Sequence, residues 1–161
     1  MYMDVVDIII EIPYHSNVKY ELSKESNKLV VDRVLQTSMV YPANYGFIPN
    51  TLAADGDPLD ALIIASYQLF PGCYIAACPI GVLYMEDEKG RDEKVICVPD
   101  AKVDRTYAGI KNVDDLPKHI IDEVMHFFEH YKDLEVGKFV KVAGVDGPDK
   151  AREVIASYTI R

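Results

Sequence analysis

Cysteine is scarce and poorly spaced: Cys73, Cys78 and Cys97 make an odd set without a C-x-x-C pair. This excludes a disulfide framework and a structural zinc site, and predicts three small core residues in reduced form. No apolar run is long enough to span a bilayer. The opening Met1-Tyr2-Met3-Asp4 lacks the basic start of a signal peptide, so a cytoplasmic location and no membrane partner are expected. Positive charge is also in short supply, 17 Lys and Arg against 26 Asp and Glu, for a net charge of −9. That balance argues against a nucleic-acid partner, which requires a basic face. No repeat, low-complexity tract or domain boundary interrupts the chain. Its 161 residues fit one domain, 1–161, with a real core.

What the chain has in excess is carboxylate, concentrated in Asp55-Gly56-Asp57-Pro58-Leu59-Asp60. Carboxylates this close repel unless cations lie between them, and a cluster of acceptor-only oxygens suits a hard divalent ion such as Mg²⁺. Gly56 permits a positive φ and Pro58 fixes its own, so the turn is rigid. The following Ala61-Leu62-Ile63-Ile64-Ala65 reads as a strand entering a core. Alone, the string also reads as a solvated surface turn, and its glycine stands in the wrong place for a calcium loop.

Val5-Val6-Asp7-Ile8-Ile9-Ile10-Glu11-Ile12 is rich in β-branched residues and stops at Pro13, which predicts a strand running into a turn. Val18-Lys19-Tyr20-Glu21-Leu22 and Leu29-Val30-Val31-Asp32-Arg33-Val34, separated by polar residues, predict a hairpin. Residues 41–58 hold three prolines, two glycines and two asparagines. They predict a long irregular segment, packed through Tyr41, Tyr45, Phe47, Ile48 and Leu52, of the kind that often carries function. Further strands are expected over 59–66, 73–85 and 94–98, with the charged run 86–93 as a hairpin turn. Beyond Pro117 the period changes. Ile120, Val124, Phe127, Phe128 and Tyr131 recur at spacings of three and four, the apolar face of a helix. A second helix is expected from Pro148 to around Ser157.

Other charged residues stand beside these elements. Asp87 and Asp92 bracket a hairpin tip, Glu11 ends the first strand, and Glu21 shares a strand face with Lys19. Lys19, Arg33, Lys94 and Lys132 lie next to acidic segments. Singly, each reads as an exposed charge. His126 and His130 are four apart, a spacing that can hold a metal, but H-F-F-E-H is not H-E-x-x-H. They are read as surface or contact residues.

The run Tyr41-Pro42-Ala43-Asn44-Tyr45-Gly46-Phe47-Ile48-Pro49 leading to Asp55-Gly56-Asp57-Pro58-Leu59-Asp60 resembles the signature of the soluble family I inorganic pyrophosphatases. Glu11-Ile12-Pro13, Lys19-Tyr20-Glu21, Asp32-Arg33, the stretch from Asp87 to Lys94, Asp115-Leu116-Pro117 and His126-Phe127-Phe128-Glu129-His130-Tyr131-Lys132-Asp133-Leu134 match in the same order. The resemblance covers residues 8–142 and is to the short prokaryotic type. It implies an α+β fold, a five-stranded OB-like β-barrel with two α-helices in the C-terminal half. It also implies hydrolysis of pyrophosphate to two phosphates with several Mg²⁺ ions, or Mn²⁺ in their place.

Residue by residue, it implies metal ligands at Asp55, Asp60, Asp87 and Asp92, with Glu11 and Glu21 acting through metal-bound water. Asp57 would be the base for a metal-bridged water attacking in line. Lys19, Arg33, Tyr131 and Lys132 would hold phosphate oxygens, and Tyr45 and Lys94 complete the site. The resemblance further implies a homohexamer with His126 and His130 near a subunit contact, which protonation would weaken. Two departures stand out: Phe139 replaces a tryptophan common in the family, and the loop between Glu11 and Lys19 is about one residue short.

Physical reasoning fits those roles, since phosphoryl transfer asks a protein chiefly to position water and neutralise charge. The seven carboxylates and four cations named leave −3, and ionised pyrophosphate adds −4. Near-neutrality then requires ~3–4 Mg²⁺. A single-strand-binding barrel would need a basic, aromatic groove, and a non-catalytic metal module would leave Lys19, Arg33, Tyr131 and Lys132 unexplained. An enzyme acting on nucleotides or polyphosphate is the nearest rival.

Overall fold

The computed structural model describes residues 4–161; Met1, Tyr2 and Met3 of the opening stretch lie outside them. In chain order its elements are β1 (Val6–Ile12), β2 (Val18–Leu22), β3 (Leu29–Val34), β4 (Asn44–Phe47), β5 (Asp60–Ile63), β6 (Tyr74–Asp87), β7 (Gly90–Pro99), α1 (Lys118–His130), β8 (Val140–Asp146) and α2 (Pro148–Tyr158). Strands pair in the order β1-β4-β5-β7-β6, and β6 pairs back onto β1, closing a ring of five. This is the OB-like barrel the resemblance implies, with its two helices. β8 extends the sheet from β6, and β2 and β3 form a separate hairpin. Among the described residues no helix is long and apolar enough to cross a membrane.

Strand alternation explains the packing. Along β5 and β7, Leu62, Ile96 and Val98 join an apolar cluster with Val124, Phe127 and Phe128 of α1. Their neighbours Ala61, Ile63, Val95 and Cys97 join a second cluster with Ala151 and Ile155 of α2. Both faces of these strands are buried, which is why they read as continuous apolar runs. α1 follows Pro117 directly, and α2 opens on Pro148, where a missing N–H costs nothing.

Several expectations need correction. The segment 41–58 is not irregular throughout, because Asn44–Phe47 forms β4 between β1 and β5. Gly46 allows it: a Cβ there would collide with the carbonyl oxygen of Ile9. β8 had no predicted counterpart; its alternate residues are exposed, and a bulge near Gly144 interrupts its register. The run 86–93 is mostly strand, since β6 and β7 pair as far as Asp87 with Gly90, leaving Glu88 and Lys89 as the turn. Of the cysteines only Cys97 is buried; Cys73, in the turn before β6, is exposed.

Candidate active site

A single cavity of about 500 Å³ gathers side chains from most of the chain. Glu11 of β1, Lys19 and Glu21 of β2, Arg33 of β3 and Tyr45 of β4 line it. So do Asp55 and Asp57 from the loop ahead of β5, and Asp60 at its first residue. Asp87, Asp92 and Lys94 enter from the β6–β7 hairpin, and Tyr131 and Lys132 from just beyond α1.

Two strand irregularities aim these groups. Between β1 and β4 the register steps from Ile10 opposite Gly46 to Ile12 opposite Tyr45, so Glu11 is an extra residue, a bulge of the kind that re-aims a side chain. Its Oε2 accepts the Leu22 N–H at 2.8 Å. Burial nevertheless pushes the Glu11 carboxyl up to about 7, with Asp60 and Glu21 adding to the effect.

In the β2–β3 hairpin, Lys19 faces Arg33 and Tyr20 faces Val31, leaving Asp32 as the extra residue. Facing like charges would repel, and Asp32 answers both: its Oδ2 lies 3.3 Å from Lys19 Nζ and 2.7 Å from Arg33 Nη1. Arg33 Nε sits 3.0 Å from Glu135 Oε1. That contact is off the N–H direction, however, so a buried donor is left without a hydrogen bond. Nη2 donates to the other Glu135 oxygen at 3.4 Å, so Asp32 and Glu135 together fix the plane of a guanidinium that lines the cavity.

Lys94 is almost wholly enclosed. The parallel register of β5 and β7 sets it opposite Asp60, and its ammonium donates to Tyr45 Oη at 2.9 Å, Asp60 Oδ2 at 2.9 Å and Asp92 Oδ2 at 3.1 Å. Burial would lower its pKa, but Asp60, Tyr45 and Asp92 outweigh that and hold it well above its ordinary value. Asp92 is itself pushed up, chiefly by burial and further by Asp60 and Asp87, against the pull of Lys94. Lys132 Nζ donates to Asp87 Oδ2 at 3.2 Å. Tyr45 and Tyr131 are both pushed up by burial and stay neutral phenols.

The acidic loop folds as a tight turn, with Gly56 at φ +85° and the Asp57 N–H donating to Asp55 Oδ1 at 3.0 Å. Burial raises Asp55, and Asp92 and Asp57 add to it. The donor set is oxygen-only and its carboxylates repel one another, which fits a hard divalent ion. Among the described residues no three acidic, His or Cys side chains converge into a closed ligand set. Mg²⁺ does not demand one, because it keeps several of its own waters.

The cavity also holds residues that spacing did not flag. Lys24, Glu88, Lys89 and Lys138 line it, and their charges reduce the lining's formal imbalance to −1. With ionised pyrophosphate, roughly two or three divalent ions then reach neutrality. Glu135, buried between Arg33 and Lys138, stands 102 residues from Arg33 and carried no local signal. His126 and His130 line no part of the cavity; their rings are 4.7 Å apart on α1, and His130 Nδ1 lies 2.8 Å from Asp133.

The profile of the family described as Inorganic pyrophosphatase matches residues 8–161. The inorganic pyrophosphatase of Sulfolobus acidocaldarius is 53% identical over 94% of this chain and 88% of its own length. That of Helicobacter pylori is 52% identical over the same shares. A solved H. pylori inorganic pyrophosphatase superposes with a TM-score of 0.94 over 96% of this chain and 91% of that one, at 51% identity. One from Thermus thermophilus superposes at 0.93 over 96% and 89%, at 43% identity.

Proposed function

This chain belongs to the inorganic pyrophosphatase family, and from that membership we propose that its cavity hydrolyses pyrophosphate to two phosphates with several Mg²⁺ ions, Asp57 acting as general base. As a family member it is an enzyme, a hydrolase of a phosphoanhydride bond. The observation that carries the finer reading is the convergence on one cavity of all seven carboxylates and four cations named from the resemblance, drawn from β1 to just beyond α1. Divalent ions held by Asp55, Asp60, Asp87 and Asp92, with Glu11 and Glu21 behind them, would acidify water and neutralise phosphate oxygens. Mn²⁺ could take their place.

The chain's own residues divide the remaining work. Arg33, its guanidinium held by Asp32 and Glu135, faces a phosphate oxygen, and Lys19, Lys132 and Lys94 supply point charges. Tyr45 and Tyr131, neutral and buried, offer phenolic hydrogen bonds. Asp57, more exposed than Asp92, takes the proton from the attacking water. A cytoplasmic, homohexameric enzyme with His126 and His130 near a subunit contact completes the proposal.

Phosphate release from pyrophosphate with Mg²⁺, after chelation, and with ATP offered instead, tests the reaction and its substrate. Asp57→Asn should keep its metal uptake and fold while turnover falls by roughly 10²–10⁴-fold, the span of general-base catalysis. Turnover in that variant close to wild type would remove Asp57 from the role.

A further inference from the structure

Lys24 sits in the turn joining β2 to β3, closed by the Asn27 N–H donating to Ser23 O at 2.8 Å. Its ammonium reaches across the cavity rim to the acidic loop. There it donates to Asp57 Oδ1 at 2.7 Å and to the Gly56 carbonyl at 3.1 Å, a link between segments 33 residues apart. Both Lys24 and Asp57 line the cavity.

The loop it grips is otherwise folded on itself. Ala53 N–H donates to Asp57 O, Gly56 N–H to Ala53 O, and Asp57 N–H to Asp55 Oδ1. Space around the Gly56 Cα is open. Asp57 accepts the ammonium on the same carboxylate that must meet the attacking water, so one of its oxygens is occupied while the contact lasts. The acidic groups facing Lys24 are Asp57, Asp55 and Glu21, and together they hold its ammonium above the usual lysine range, the Asp57 hydrogen bond leading. Both partners are more than half exposed, so the pair is weak and easily opened.

We propose that Lys24 is a tethered counter-ion that latches the hairpin to the acidic loop in the metal-free protein and is displaced as divalent ions enter. It thereby sets the metal concentration at which Asp57 becomes free to act. This rests on the metal-dependent reading above. A divalent ion among Asp55, Asp60 and Asp92 repels the ammonium, and the ammonium in turn raises the metal concentration needed. By linkage the two effects are equal.

Mn²⁺ binding to the chelator-stripped full chain, measured by calorimetry and by electron paramagnetic resonance, tests the latch. Lys24→Gln should bind Mn²⁺ about two- to fivefold more tightly than wild type, the range open to an exposed ion pair. Lys24→Arg, which keeps the charge, should bind as wild type does. The half-saturating Mg²⁺ for pyrophosphate turnover should fall by the same factor in Lys24→Gln. Equal or weaker Mn²⁺ binding by Lys24→Gln overturns the proposal. A wild-type chain that takes up no Mn²⁺ overturns the metal-dependent reading, and this inference with it.

Discussion

Arg33 shows how a single side chain is held in place at the cavity wall. Asp32 accepts from one edge of its guanidinium, and Glu135 lies along the other, accepting from Nη2 at 3.4 Å with its second oxygen 3.0 Å from Nε. Glu135 is thus a positioning residue, buried and shared with Lys138 at 3.3 Å. Glu135→Gln keeps the shape and removes the charge. We expect kcat/KM for pyrophosphate to fall by roughly five- to thirtyfold, about 1–2 kcal/mol, mostly through KM. In an Arg33→Lys background the same change should cost less, since the two residues act as a pair. Steady-state kinetics on the four proteins checks this, and additive losses would mean that Glu135 does not work through Arg33.

At the scale of the element, strand register matters more than strand content. Glu11 and Asp32 are the unpaired residues of two bulges, and Gly46 lets β4 lie against the β1 backbone beside the first of them. Gly46→Ala would force Cβ into backbone that cannot rotate aside, so a loss of more than about 2 kcal/mol in unfolding free energy is expected. Denaturant melts measure it, and an unchanged midpoint would show that β4 can shift without penalty. These features also mark the limits of reading the sequence. β1, both hairpin strands, α1 and α2 were legible because their apolar periods are clear, and because Pro13 closes the first strand while Pro117 and Pro148 open the two helices. β4 was hidden by the prolines and glycines around its four residues, and β8 by half-exposed alternation broken at Gly144. The site residues came from a resemblance; periodicity could offer Asp55, Asp57 and Asp60 as a turn, but not Lys24 or Glu135, whose partners lie far along the chain.

Across the whole molecule the cavity carries an electrostatic cost that depends on pH. Glu11, raised from 4.5 to about 7, and Asp55 and Asp92, also raised, all bind protons more readily folded than unfolded. The stability they contribute is therefore complete below the ordinary carboxylate range and is lost as pH climbs through the folded values. For Glu11 that window runs from about 4.5 to about 7, with a ceiling near 3 kcal/mol. In chelator, the difference in unfolding free energy between wild type and Glu11→Gln should shift by up to that amount between pH 5 and 7.5, with wild type losing more. A constant difference would mean that Glu11 is not held protonated. Closure of the ring has a different reach. β1 is gripped on one side by β4 and on the other by β6, and β5 finds its parallel neighbour only in β7. A growing chain therefore cannot close the ring until β6 and β7 have both been made. The cavity lining is complete only late in the chain, when the segment after α1 adds Tyr131, Lys132 and Lys138 to Glu11 and Lys19, made more than a hundred residues earlier.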